Sequence, residues 1–229
     1  MNAENPEFIR ATRISYDTIA DAYAERFSDW PGVHPMDRAL LGGFAELVGA
    51  RGGGPVADIG CGPGQVSAAL AALGLPVFGV DLSPRMVELA RRAHPGLRFH
   101  VGSMTSLGLP NETLGGVVAL YSVIHVPDDH LPTVFAEFHR VLVPGGHVLL
   151  AFQAGDEDEA GHLHLAERFG HPIDLDYHWH TPDTFAERLT KAGLQPVARV
   201  LREPQGEEKR ARAFLLARKG DRGGVLKGP

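Results

Sequence analysis

The chain has 229 residues, 44% of them hydrophobic, with 22 Lys and Arg against 28 Asp and Glu, a formal net charge of -6 and a pI near 6.0. That length and apolar content can bury one full α/β core, so a single domain spanning 1–229 is expected, and the acidic balance supplies no general basic surface for nucleic acid. One cysteine, Cys61, excludes an intrachain disulfide; the first seventeen residues lack a basic-then-apolar leader; and no apolar run approaches a membrane span, so a cytoplasmic protein without a membrane partner is predicted.

Taken in chain order, residues 8–30 carry Ile9, Ile14, Tyr16, Ile19, Ala20, Tyr23 and Phe27 at spacings of three, four and seven, which predicts an amphipathic helix. WPGVHP, residues 30–35, breaks the chain before a second apolar-periodic segment, Leu40, Leu41, Phe44, Leu47 and Val48, suited to one face of a sheet.

The stretch VADIGCGPGQVS, residues 56–67, follows. It reads as a buried strand running into a glycine-rich turn and then a helix opening near Gln65. Such an arrangement sets backbone N–H groups and a helix N-terminus at the carboxyl edge of a sheet, where a nucleotide-like ligand lies close to the chain. The spacing discriminates between ligands: the dinucleotide fingerprint GxGxxG places its third glycine where Gln65 stands, whereas here Gly60, Gly62 and Gly64 form GxGxG, with Asp58 two positions upstream. The helix VSAALAAL stops at Gly74.

PVFGVDLSPRMVELARRA, residues 76–93, predicts a second buried strand, with Ser83 capping the next helix and Pro84 in its first turn. Asp81 thus falls at the carboxyl end of that strand, 21 positions after Gly60, where a carboxylate can accept both hydroxyls of a ribose. The third strand and its loop occupy residues 97–110, and the fourth lies within 115–127, leading to Tyr121, Ser122 and His125. A helix over about 129–142 precedes the fifth strand. Residues 153–181 interrupt the rhythm with a polar insertion holding His162, His164, His171, His178 and His180; nothing ties its two His-x-His pairs to a third ligand, so no metal is predicted. A helix from Thr181 to Gly193, two antiparallel strands around 196–203 and 211–218, and a disordered tail from Gly220 complete the chain.

In its acidic residue followed by GxGxG (Asp58, Gly60, Gly62, Gly64), in residues 79–83 and in the Arg-Val-Leu-x-Pro-Gly-Gly run from Arg140 to Gly146, the chain resembles the class I S-adenosylmethionine-dependent methyltransferases. The resemblance implies an α/β, Rossmann-like fold: a seven-stranded, mostly parallel sheet with helices on both faces, the last strand antiparallel, and an N-terminal helical cap over about 8–50. It implies methyl transfer from S-adenosylmethionine, with S-adenosylhomocysteine as product, to an oxygen, nitrogen or carbon of a small-molecule metabolite. Cofactor-binding residues are then expected at Tyr16, Tyr23, Asp58, Gly60, Cys61, Gly62, Gly64, Asp81, Leu82, Met86, Ser103, Met104 and Tyr121. Tyr16, Ala20 and Tyr23 stand in the pattern of a segment closing over the cofactor, whose amino-acid tail would rest beside residues 60–64. Leu82 and Met104 would sandwich the base. Ser103 occupies a position where the family often carries aspartate, so recognition of the adenine edge departs from the pattern. His125 is the first candidate for a general base, ahead of His178 and Tyr16. The competing readings are a nicotinamide-dependent oxidoreductase and a non-catalytic binder of the same cofactor. A monomer or homodimer is expected.

Overall fold

The computed structural model describes residues 6–29, 34–155 and 161–221; the Trp30 to Val33 part of the expected chain break and most of the expected disordered tail lie outside them. Seven strands form one sheet in the order β3-β2-β1-β4-β5-β9-β8: β1 (Val56–Ile59), β2 (Val77–Asp81), β3 (Arg98–Val101), β4 (Leu114–Leu120), β5 (Leu142–Gln153), β8 (Leu194–Arg202) and β9 (Arg212–Lys219). The pairs among β1 to β5 are parallel. β9 runs antiparallel between β5 and β8, so a single strand is reversed within the sheet. That reversed strand is the one the resemblance implied, and the nicotinamide alternative is not supported.

Alternation along the central strands assigns the two faces of the core. Val118, Leu120, Leu149, Ala151 and Phe214 face α2 (Pro35–Gly49) and α3 (Gln65–Ala72), which contribute Leu41, Phe44, Val48, Val66 and Leu70. Val117, Ala119, Val148, Leu150 and Leu215 face α5 (Leu131–Val141) and α6 (Pro182–Lys191), where Phe135, Phe138 and Phe185 are fully buried. Local signals fix the helix starts. Ser83 Oγ accepts the Met86 N–H at 3.0 Å ahead of Pro84 in α4 (Pro84–Ala93), and Thr181 Oγ1 accepts the Thr184 N–H at 3.1 Å ahead of Pro182.

The expected cap over about 8–50 divides into two parts with different jobs. The apolar stripe of α2 is spent entirely on the sheet, so it belongs to the core layer. Only α1 (Glu7–Arg26) lies across the ligand edge. There it is held on two sides. Ser15, 1% exposed, donates through Oγ to the Asp174 carbonyl at 2.9 Å and accepts the Asp174 N–H at 3.0 Å. Asp17 accepts from Ser83 Oγ at 2.6 Å and from the Arg85 N–H at 3.1 Å, while Asp21 pairs with the Arg85 guanidinium. The polar insertion folds as a separate antiparallel hairpin, β6 (Gly161–Arg168) and β7 (His171–Trp179), and α1 rests against β7.

Candidate functional site

β1 ends at Ile59 and the chain turns through Gly60 at φ 75°, Gly62 at φ 52° and Gly64 at φ 93°, values that only glycine adopts without strain. At Gly60 the need is also steric, because a Cβ there would lie 2.3 Å from Ser122 Cβ. This close approach lets Ser122 Oγ donate to the Ile59 carbonyl at 2.8 Å, tying the first turn to the end of β4. Tyr121, the residue between, takes φ 55°, a conformation that costs about 1–3 kcal/mol for a non-glycine residue and that concentrates at functional sites.

Between this edge and α1 lies a cleft enclosing about 760 Å³ of atom-free space, part of it open to solvent. Ten of the residues expected to hold cofactor line it: Tyr16, Tyr23, Gly60, Gly62, Asp81, Leu82, Met86, Ser103, Met104 and Tyr121. His125 lines it as well.

The structure places Asp58, Cys61 and Gly64 outside that lining. A strand alternates its faces, so Asp58 points under α3, where its Oδ2 accepts from Ser67 Oγ at 2.6 Å. The Cys61 thiol packs with Val87, Ala90 and Phe99. Gly64 forms the N-cap of α3, with Phe99 and His94 where a side chain would project. Ser122, named with Tyr121 and His125 at the end of the fourth strand, lines it too, and Phe8, Ile9 and Thr12 of α1, Thr105 beside Ser103 and Val126 join the lining without having been read as site residues in the sequence. His178, the weaker base candidate, is half-buried on β7 and outside the lining.

Asp81 sits at the floor of the cleft. Its Oδ2 accepts the Gly62 N–H and its Oδ1 the Ser83 N–H, each at 2.8 Å. A carboxylate offers about four lone-pair sites, so each oxygen keeps one for a ligand hydroxyl, which fits a ribose diol. Burial raises its pKa to about 6 against the opposing pull of those two hydrogen bonds. At the far wall Ser103 Oγ and Thr105 Oγ1 are 2.8 Å apart and present paired hydroxyls.

At the other end, Tyr16 Oη lies 2.7 Å from His125 Nε2, and His125 Nδ1 lies 2.8 Å from the Asp176 carbonyl. A carbonyl only accepts, so Nδ1 carries the hydrogen and Nε2 accepts from the Tyr16 hydroxyl. Burial lowers the His125 pKa to about 4, keeping the ring neutral, and raises that of Tyr16 well above the ordinary phenol value. Tyr177 stacks edge-on against His125 with ring centroids 4.6 Å apart, and its hydroxyl receives a hydrogen bond from the Arg168 guanidinium. The hairpin therefore backs His125 from behind without itself lining the cleft.

Its histidines are engaged otherwise. His162 Nε2 and His164 Nδ1 both contact Asp176 Oδ1, at 2.8 and 3.1 Å. Among the described residues no group of three or more His, Cys, Asp or Glu is arranged to hold a metal ion, and no helix is long and apolar enough to cross a membrane.

Residues 56–146 match the family model of the methyltransferase domain. A demethylmenaquinone methyltransferase of Chlorobaculum parvum is 36% identical over 92 residues, 40% of this chain and 37% of that protein. The chain spans about a third to three fifths of the length of the first curated relatives it matches. Among solved structures, the 1,6-didemethyltoxoflavin-N1-methyltransferase of Burkholderia thailandensis, crystallised with 1,6-didemethyltoxoflavin and S-adenosylhomocysteine, aligns with a TM-score of 0.70 at 23% identity, covering 96% of this chain and 94% of that one. The [4+2]-cyclase SpnF aligns with a TM-score of 0.71 at 17% identity, covering 94% and 98%. These two likenesses establish the fold.

Proposed function

We propose that this chain, whose residues 56–146 match the family model of the methyltransferase domain, is a class I S-adenosylmethionine-dependent methyltransferase that transfers a methyl group from that donor to a small-molecule acceptor. The observation that carries the proposal is the half-buried Asp81 carboxylate, which accepts the Gly62 and Ser83 N–H groups beside the glycine turn and lines the cleft. In this reading the carboxylate accepts the ribose hydroxyls, Leu82 and Met104 flank the base, Ser103 and Thr105 meet its edge, and Tyr23 covers the amino-acid portion beside Gly62.

The sulfonium supplies an already activated methyl group. What remains for the chain is to hold an acceptor atom in line and to exclude water, and held geometry of that kind is worth several kcal/mol, up to about 7–11 in the best oriented systems. Phe8, Ile9, Tyr16 and Val126 make the acceptor end apolar and aromatic, suited to a compact, partly flat metabolite. Where the acceptor is a hydroxyl, its proton passes to the Tyr16 oxygen as the Tyr16 proton moves to His125 Nε2. Tyr16 and His125 thus act as one unit.

Calorimetry tests the donor half: S-adenosylhomocysteine should bind and NAD should not, and the reverse result overturns the proposal. Mass spectrometry tests the transfer half. Labelled donor and the protein, incubated with a host extract, should yield a product gaining one labelled methyl. A chain that binds donor and methylates nothing across a broad acceptor panel would be a non-catalytic binder.

A further inference from the structure

Arg168 stands at the tip of the β6–β7 hairpin with a single hydrogen bond, donated to the Tyr177 hydroxyl, and among the described residues no carboxylate lies within ion-pair distance of it. It is half-buried. Its guanidinium carbon lies 5.8 Å from the centroid of the Tyr23 ring. That ring in turn lines the cleft and reaches to within 4.0 Å of the position a Gly62 Cβ would take. Around the guanidinium stand Tyr16, Tyr23, Tyr177 and His125, all held neutral by burial. Half-buried cations are ordinarily paired, because the cost of partial desolvation is offset only by an opposite charge or a full set of acceptors. Among the described residues, four of the five N–H donors of Arg168 have no such acceptor, and they sit one aromatic ring away from the glycine turn.

We propose that Arg168 is the counter-ion for the carboxylate of the donor's amino-acid portion, reaching past the edge of Tyr23 to pair with it beside Gly62. The inference rests on the donor reading above and extends it to the insertion, which then contributes to cofactor recognition as well as backing His125. A planar fork suits this task, since guanidinium and carboxylate meet through two parallel hydrogen bonds.

The test compares two ligands that differ in one group, S-adenosylhomocysteine and its decarboxylated analogue, by calorimetry on the wild-type chain and on Arg168→Ala, Arg168→Lys and Tyr177→Phe. Arg168→Ala should weaken S-adenosylhomocysteine by about ten- to a hundredfold, the range for a lost charge-assisted hydrogen bond, and leave the decarboxylated analogue within about twofold. Arg168→Lys should recover part of the loss. Tyr177→Phe, which keeps the cation and removes its present partner, should leave the preference for the carboxylated ligand intact. Equal weakening of both ligands by Arg168→Ala would assign Arg168 a merely structural part, and no weakening of either would remove it from the site; both results overturn the inference. If the wild-type chain binds neither ligand, it is the donor reading itself that fails.

Discussion

Tyr16 on α1 and His125 beyond the end of β4 are 109 residues apart in sequence and 2.7 Å apart at Oη and Nε2. Because the Asp176 carbonyl fixes the hydrogen on Nδ1, the lone pair of His125 is committed to the phenol. Helix α1, the carboxyl edge of the sheet and the hairpin insertion are therefore joined through one imidazole.

That geometry distinguishes two mechanisms for a hydroxyl acceptor. His125→Ala should lower turnover by about 10²–10⁴ with little change in donor affinity, the usual worth of a positioned acid–base group. Tyr16→Phe should lower it comparably if the proton travels through the phenol. If Nε2 acts directly, Tyr16→Phe would instead free it, and turnover would hold or rise. With the His125 pKa held near 4, turnover at saturating donor should show no acid limb near the ordinary histidine value.

Ser15 carries the second attachment of α1. Its hydroxyl both donates to and accepts from the backbone of Asp174, and Ser15→Ala leaves two part-buried backbone groups without their partner, at about 1–3 kcal/mol. Asp17 and Asp21 still bind the α4 end, so the loss should appear as local opening rather than global unfolding. Hydrogen exchange should quicken in α1 while amides of β1, β4 and β5 keep their protection. Unaltered exchange in α1 would show that the helix is held by other contacts.

The parts of the site written in local sequence were legible, and the parts made by folding were not. GxGxG, the strand-end Asp81 and the Ser83-Pro84 cap each encode their geometry within a few residues, and they sit where their spacing places them. Asp58 belongs to the same motif, yet its side chain falls on the opposite face of β1 from the cleft, against Ser67, a consequence of which way the strand's period-two alternation is phased. Phe8, Ile9 and Thr12 could not be read as cleft residues, because their role depends on how α1 lies across the sheet edge. The hairpin was hidden for a related reason: β6 is exposed or half-exposed along its whole length, so no apolar alternation marks it as a strand. Arg168 carries no local signal either, because Tyr177 and Tyr23 come around it only in the folded chain.

Asp81 should make donor binding pH-dependent. Its pKa in the folded chain is about 6, above the ordinary aspartate value, mainly through burial. The ribose hydroxyls need the charged form, so affinity is full above that value and lost as pH falls through it. Between pH 7 and pH 5 the affinity for S-adenosylhomocysteine should drop about tenfold, from the protonated share alone. Asp81→Ala should cost about 1.5–3 kcal/mol of binding at pH 7.5 and abolish this dependence. A wild-type affinity flat from pH 7 to 5 would mean that the ribose does not rest on Asp81.

Asp58 should shape stability rather than binding. It is 2% exposed and its pKa is raised to about 7, burial outweighing the hydrogen bond from Ser67. Since the folded value lies above the unfolded one, the folded state favours the protonated acid. Stability from this group is fully present below about pH 4 and is lost as pH rises toward 7, at roughly 1.4 kcal/mol per unit of pH within that window. Asp58→Asn keeps an oxygen for Ser67 and cannot ionise. Relative to wild type, its melting temperature should gain steadily between pH 4 and 7 and by a constant margin above, with cofactor affinity unchanged at pH 7.5. A gap that does not vary with pH would mean that Asp58 ionises in the folded chain as readily as in water, and a fall in cofactor affinity would return it to the ligand site.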